Sequence, residues 1–198
     1  MYTAIFGGTF NPLHIGHYEI LKALNDDARI EKILLMPDRM PPHKSADGLI
    51  DDKTRIEMCR MASADFSKCE LCLVEFEREG KSYTVDTVKL LKKRYTDTDF
   101  AFVMGGDMFV YFKKWRKYKE LIKMLSFFVF KRSATDASEF DRAFEELTNK
   151  GMKIILKDDI IPAVSSTELR QDFEKSKDLL PSKIYEFLTE RGVYNEKI

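Results

Sequence analysis

Two histidines three residues apart, His14 and His17, follow the run Gly7-Gly8-Thr9-Phe10-Asn11-Pro12. In a first helical turn this spacing sets both imidazoles on one face, where each can donate a hydrogen bond to a phosphate oxygen. Glycines let the backbone approach an anion with no Cβ in the way. A helix starting behind them points N–H groups and the positive end of its dipole at the same spot. The chemistry on offer is phosphate binding and stabilisation of charge developing on a phosphate. Other residues suited to that chemistry are spread along the chain: Lys44 after two prolines, Asp107 after Gly105-Gly106, and Arg170 behind Ser165-Ser166-Thr167. Cys69 and Cys72 have the spacing of half a zinc or redox site, but no second pair completes one. Alternation of Cys69, Leu71 and Leu73 reads instead as one face of a strand.

The elements that must position these residues follow from hydrophobic periodicity. Residues 2–6 form an apolar run that ends at a glycine turn, and Tyr18, Leu21, Ala23 and Leu24 then recur at helical spacing from about His17. Residues 32–36 read as a second buried strand ending at Pro37, so the start is a βαβ unit and the sheet is parallel. Consecutive prolines make 38–47 a loop at the carboxyl end of that strand, where open α/β sheets place their ligands. A helix over 51–64 with Ile56, Met58, Cys59 and Met61 inward, a strand over 69–76 and a charged turn come next. Ser82-Tyr83-Thr84 opens a helix whose inward face is Val85, Val88, Leu91 and Tyr95. Residues 100–104 form a buried strand ending in a second glycine turn that carries Asp107, an arrangement suited to ribose. Short helical pieces bear Phe109, Phe112, Trp115, Leu121 and Ile122. Strands over 127–130 and 152–156 flank a charged helix over 138–149, and helices open near Ser166 and at 182. The expected fold is α/β: a Rossmann-like doubly wound parallel sheet with helices on both faces, a single domain over 1–198. Its turns after Phe6, Pro37, Met104 and Leu156 bring the polar residues to one edge.

Composition narrows the partners. The 198 residues carry 33 basic and 33 acidic side chains, so no overall basic field argues for nucleic acid. Three cysteines, an odd number, suit a reducing compartment. No stretch approaches the roughly 20 apolar residues of a membrane span, and no signal region precedes the first strand. A cytoplasmic protein that binds a small anion is expected, and homo-oligomerisation is left open.

The string Gly-Gly-Thr-Phe-Asn-Pro-Leu-His-Ile-Gly-His at 7–17 resembles the signature of the nucleotidylyltransferase superfamily. Asn11 stands where most relatives carry Asp, a change expected to touch helix capping more than chemistry. Pro-Pro-His-Lys at 41–44, Ser-Tyr-Thr-Val-Asp-Thr at 82–87, Gly106-Asp107 with Trp115 and Tyr118, Ser-Ser-Thr-Glu-Leu-Arg at 165–170 and the ending Gly192-Val193-Tyr194 extend the match over nearly all the chain. In this order they resemble the bacterial nicotinate-nucleotide adenylyltransferases. That resemblance implies adenylyl transfer from ATP to nicotinate mononucleotide, with Mg²⁺ carried on the nucleotide and no metal site in the protein. It implies ATP contacts from Gly7, Gly8, Thr9, Phe10, His14, His17, Gly105, Asp107, Ser166, Thr167 and Arg170, with Asp107 on the ribose. Lys44, Thr84, Tyr111 and Trp115 are implied for the mononucleotide, Lys44 at its phosphate and Thr84 and Trp115 at the pyridine ring. His14, His17, Lys44 and Arg170 are the implied catalytic residues. Two alternatives stand beside this: another small nucleotidylyltransferase, such as one for phosphopantetheine, and a nucleotide-sensing protein without turnover. The same histidine string occurs in class I aminoacyl-tRNA synthetases, but the chain has no room for a tRNA-binding domain.

Overall fold

The computed structural model describes residues 1–39, 49–78, 80–131, 136–159 and 161–194. Six strands form one sheet: β1 (Tyr2–Gly8), β2 (Ile30–Pro37), β3 (Cys69–Leu71), β4 (Asp99–Gly105), β5 (Ser126–Phe130) and β6 (Lys153–Lys157). Every pairing is parallel, and the spatial order is β3-β2-β1-β4-β5-β6. The order reverses between β1 and β4. Ligands of doubly wound sheets bind outside the carboxyl ends of the strands at such a switch point.

Because side chains alternate along a strand, each face of the sheet has its own core. On one face Ala4, Phe6, Ile33 and Leu35 pack with helices α1 (Ile15–Asp26), α2 (Asp52–Ser63), α7 (Ser166–Gln171) and α8 (Ser182–Glu190). On the other, Ile5, Leu34, Met36 and Phe102 pack with α3 (Thr84–Arg94), α4 (Gly106–Val110), α5 (Tyr118–Met124) and α6 (Ala137–Asn149). The doubly wound expectation is borne out. Among the described residues no helix is long and apolar enough to cross a membrane.

Three expectations fail. The third strand stops at Leu71, and Val74–Glu77 is a 3-10 turn rather than a continuation to Phe76. Asp38 donates its N–H to Gly8 on the β1 side, so position 37 must donate toward β3, and Pro37 has no N–H to give. Tyr95 is 45% exposed beyond the end of α3 instead of facing inward. On α2 the buried positions are Thr54, Arg55, Met58, Cys59, Ala62 and Ser63, so the inward face includes an arginine and leaves Ile56 and Met61 only half-buried.

Past the end of α1, Asp27 accepts from Arg29 and from Lys157, which tethers β6 to the helix. The Arg29 hydrogen bond, aided by the Arg29 N–H and Lys157, holds the Asp27 carboxyl below its usual range against the opposing effect of burial. A depressed folded-state pKa contributes stability that is present in full above the unfolded value of about 4 and is lost as the pH falls below it. Asp27→Asn is therefore expected to melt below the parent by an amount constant from neutral to mildly acidic pH. Thermal midpoints measured against pH should show that difference shrinking under about pH 4.

Candidate active site

The strand β1 runs through both glycines, so the turn is formed by Thr9 to Leu13 rather than by Gly7-Gly8. Phe10 takes a left-handed backbone at φ 48 and folds its ring back over Gly8, where an added Cβ would meet ring carbons at 3.0 Å. Gly8 is thus required by the packing of its own turn. A Cβ on Gly7 would meet the Met36 methyl at 3.4 Å and the Phe102 ring at 3.9 Å, at the switch point itself.

His14, not Asn11, is the N-cap of α1, and its ring is 2% exposed. The His14 and His17 rings stack with centroids 3.7 Å apart, and Phe10 meets His17 edge-on at 5.1 Å. The backbone N–H of His14 donates to His17 Nδ1 at 3.2 Å. With Nδ1 an acceptor, the neutral ring carries its proton on Nε2, which makes that nitrogen the donor. His17 is half-buried at the mouth of the first turn. Gly16 lies under this pair, since a Cβ there would touch the His14 ring at 3.1 Å and the Pro162 carbonyl at 3.0 Å.

Asn11 has a different task from the expected cap. Its Oδ1 accepts from the Tyr194 hydroxyl at 2.6 Å and from the Ile50 N–H at 3.3 Å, and its carbonyl accepts from Arg170 at 2.7 Å. Burial raises the Tyr194 pKa, which keeps the phenol a donor. An amide oxygen serves these donors as a carboxylate oxygen would, a physical reason why Asn suffices here.

The α7 segment docks on the same turn. Ser165 is the cap position, without a side-chain capping bond, and Ser166 donates its hydroxyl to the Pro12 carbonyl at 3.1 Å. Arg170 also donates to the Ser166 carbonyl at 3.0 Å and to the exposed Thr167 hydroxyl at 3.3 Å. The guanidinium that the sequence marks as a phosphate clamp is therefore also the strap that holds α7 to the histidine turn.

At the end of β4 there is no glycine turn. Gly105 is at once the last strand residue and the cap of α4, Gly106 opens the helix, and Asp107 stands exposed in its first turn. Tyr111 ends α4, 54% exposed, with the Lys114 ammonium 4.5 Å from its ring. Trp115 is half-buried and meets Phe102 edge-on at 5.4 Å, and Phe102 in turn faces Gly7. The next residue, Arg116, places its guanidinium 4.4 Å over the Tyr83 ring and 4.0 Å from Asp86, on the first turn of α3 that begins with Thr84. Arg116 thus joins the Trp115 segment to the first turn of α3, where Thr84 lies, while α7 is docked on the histidine turn. Lys44 lies outside the described residues, and so does the rest of Pro-Pro-His-Lys.

Periodicity did not single out Arg55. It is fully buried and donates to the carbonyls of Thr9 at 3.0 Å, Asp38 at 2.7 Å and Arg39 at 3.5 Å, and it pairs with Asp52. Thr9 itself donates to Asp38 at 3.4 Å. One side chain therefore joins the turn after β1 to the turn after β2. An arginine on the buried stripe of a helix was the available signal. Among the described residues no cluster of three or more His, Cys, Asp or Glu side chains could hold a metal ion.

A parallel sheet with stacked histidines on the turn after β1, at the switch point, is the build of a nucleotidyltransferase, and residues 5–172 match the Cytidylyltransferase-like family, to which the chain belongs. Within it the chain sits with the nicotinate-nucleotide adenylyltransferases. It is 36% identical over 194 residues to the nicotinate-nucleotide adenylyltransferase of Bacillus subtilis (strain 168), covering 96% of each chain. It is 34% identical over 193 residues to a probable nicotinate-nucleotide adenylyltransferase of Listeria innocua serovar 6a, covering 98% of this chain and 97% of the relative. The fold is that of the Plasmodium falciparum nicotinic acid mononucleotide adenylyltransferase solved with NaAD, at a TM-score of 0.80 and 21% identity over 98% of this chain and 97% of that one.

Proposed function

We propose that the chain transfers the adenylyl group of ATP to nicotinate mononucleotide, giving nicotinate adenine dinucleotide and pyrophosphate in NAD synthesis. What supports this reading is that the stacked histidines and Arg170 meet on the turn after β1, while Trp115 packs on Phe102 beside the switch point and Arg116 joins its segment to the first turn of α3. An oxygen of the mononucleotide phosphate attacks the α-phosphorus of ATP. The bond to the bridging oxygen breaks, and that oxygen leaves with the electron pair as pyrophosphate. The nucleophile is already anionic near neutral pH, so catalysis consists of positioning and charge stabilisation. ATP enters with a divalent metal, read here as Mg²⁺ on its phosphate oxygens and treated as part of the substrate. The backbone of Gly7, Gly8, Thr9 and Phe10 borders the triphosphate, His14 and His17 donate to it, and Ser166, Thr167 and Arg170 take its outer phosphates. His17 Nε2 faces the α-phosphate. Gly105 and Asp107 take the adenosine ribose, Lys44 the mononucleotide phosphate, and Thr84, Tyr111 and Trp115 the pyridine end. The cytoplasm, where both substrates reside, is the compartment this reading implies.

Purified protein should release pyrophosphate from ATP only when nicotinate mononucleotide is added. Release with phosphopantetheine instead would assign another nucleotidylyltransferase, and binding without release would assign a sensor. The helix start at Thr84 also sets an expected preference for the acid over nicotinamide mononucleotide, because free N–H groups and a hydroxyl there favour a carboxylate over a neutral amide. Thr84→Val should narrow the acid-to-amide ratio of kcat/KM. Trp115→Ala should raise KM for both mononucleotides by about two- to thirtyfold, the worth of roughly 0.5–2 kcal/mol of ring stacking. A parent enzyme that prefers the amide, or a Trp115→Ala protein that only melts early, would move the pyridine site elsewhere.

A further inference from the structure

A buried carboxylate stands behind the mononucleotide end of the crevice with no part in the reaction just described. Glu75 lies in the 3-10 turn after β3, its side chain 2% exposed. Its Oε1 accepts from the hydroxyl of Thr87, a fully buried residue of α3, and lies 3.5 Å from Arg78 Nη2. The same guanidinium nitrogen donates to the Thr87 hydroxyl, so that hydroxyl both gives and receives a hydrogen bond. Oε2 of Glu75 and Nε of Arg78 are buried without a hydrogen-bond partner among the described residues. Burying an incompletely bonded carboxylate is costly, and an apolar side chain of similar volume would serve a purely structural core better.

The connections of this cluster indicate what the charge does. Thr87 is three positions beyond Thr84, on the same face of α3, so anchoring its hydroxyl fixes the rotation of the helix and the direction of its first turn. The Arg78 carbonyl accepts from Arg39 Nη1 at 2.6 Å, and the Arg39 carbonyl accepts from Arg55 at 3.5 Å, the side chain that also holds Thr9. A continuous polar chain therefore runs from the turn after β1, through the turn after β2, to the start of α3. We propose that Glu75, Arg78 and Thr87 are positioning residues that hold the first turn of α3, and with it Thr84, in register with the phosphate end of the crevice. This rests on the assignment of Thr84 to the mononucleotide, and none of the three residues touches substrate.

Steady-state kinetics of Thr87→Val, Thr87→Ser and Glu75→Leu, with thermal midpoints, test the proposal. Thr87→Val should raise KM for nicotinate mononucleotide by about tenfold, the effect of losing a buried hydrogen bond that fixes a binding group, with KM for ATP within about twofold of the parent. Thr87→Ser keeps the hydroxyl and should return the mononucleotide KM to the parent value. Glu75→Leu removes the acceptor of the Thr87 hydroxyl, should reproduce the split, and carries the test if the valine variant does not fold. Parent KM for the mononucleotide in a folded Thr87→Val or Glu75→Leu protein, a parallel rise in both KM values, or no rescue by serine would overturn it while the parent remains an active adenylyltransferase. A parent without mononucleotide-dependent pyrophosphate release would overturn the functional reading, and this proposal with it.

Discussion

His17→Ala is expected to lower kcat by on the order of 10²–10³, the usual loss when one donor aimed at developing charge is removed. The tautomer argument makes the expectation specific. Nδ1 of His17 is occupied by the His14 N–H, so the donating proton sits on Nε2 and is available at neutral pH without protonating the ring. The variant also loses the stack with His14 and one capping bond, for about 1 kcal/mol, or a fall of about 2–4 °C in thermal midpoint. Measuring kcat and the midpoint together separates the two effects. A kcat near the parent's would remove His17 from the catalytic machinery, and a collapse of the midpoint would make it a structural residue.

Arg55→Ala should be the most damaging single change to stability. Its guanidinium satisfies the carbonyls of Thr9, Asp38 and Arg39, and its removal leaves those groups and the Asp52 carboxylate without it. A buried carbonyl left without its donor costs about 1–3 kcal/mol, and the emptied volume of a fully buried side chain adds to it, which corresponds to a midpoint drop of about 10 °C or more in a chain of this size. KM for ATP should rise as well, because the turn that carries Thr9 and Phe10 loses its tie to β2. Arg55→Lys keeps the charge but not the planar fork, and should recover only part of the loss. Denaturant unfolding of parent and both variants gives the comparison. Equal stability for parent and Arg55→Ala would show that the carbonyls find other donors and that the clamp holds nothing.

Much of the fold was legible in order and kind. Apolar runs such as 32–36 and 127–130 cannot be satisfied unless both faces are covered, and helical periods between them leave the parallel crossover as the available connection. The histidine turn was legible through the whole string from Gly7 to His17, since a glycine pair and two histidines alone are as often structural. The errors fell where a local pattern was decided by a distant partner. The alternation through Cys69 to Phe76 reads as one strand, yet Pro37 on the neighbouring strand has no N–H with which to extend the ladder. Gly105-Gly106 reads as a turn, but strand passes directly into helix because Gly105 serves both elements.

By itself the sequence determined a parallel α/β sheet, the order of its elements, and the presence of two histidines on the turn after β1. These depend on periodicity and side-chain chemistry, which are local properties. Only the tertiary structure decided how those residues are held: Arg55 inward on α2 bridging two turns, Tyr194 from the chain's end donating to Asn11, Arg170 strapping α7 to that turn, and Thr87 pinned by a buried Glu75. Each of these bonds, apart from those within α7, joins segments at least nine positions apart. Each satisfies a buried polar group that no neighbour in sequence could reach, so neither charge nor spacing announces it.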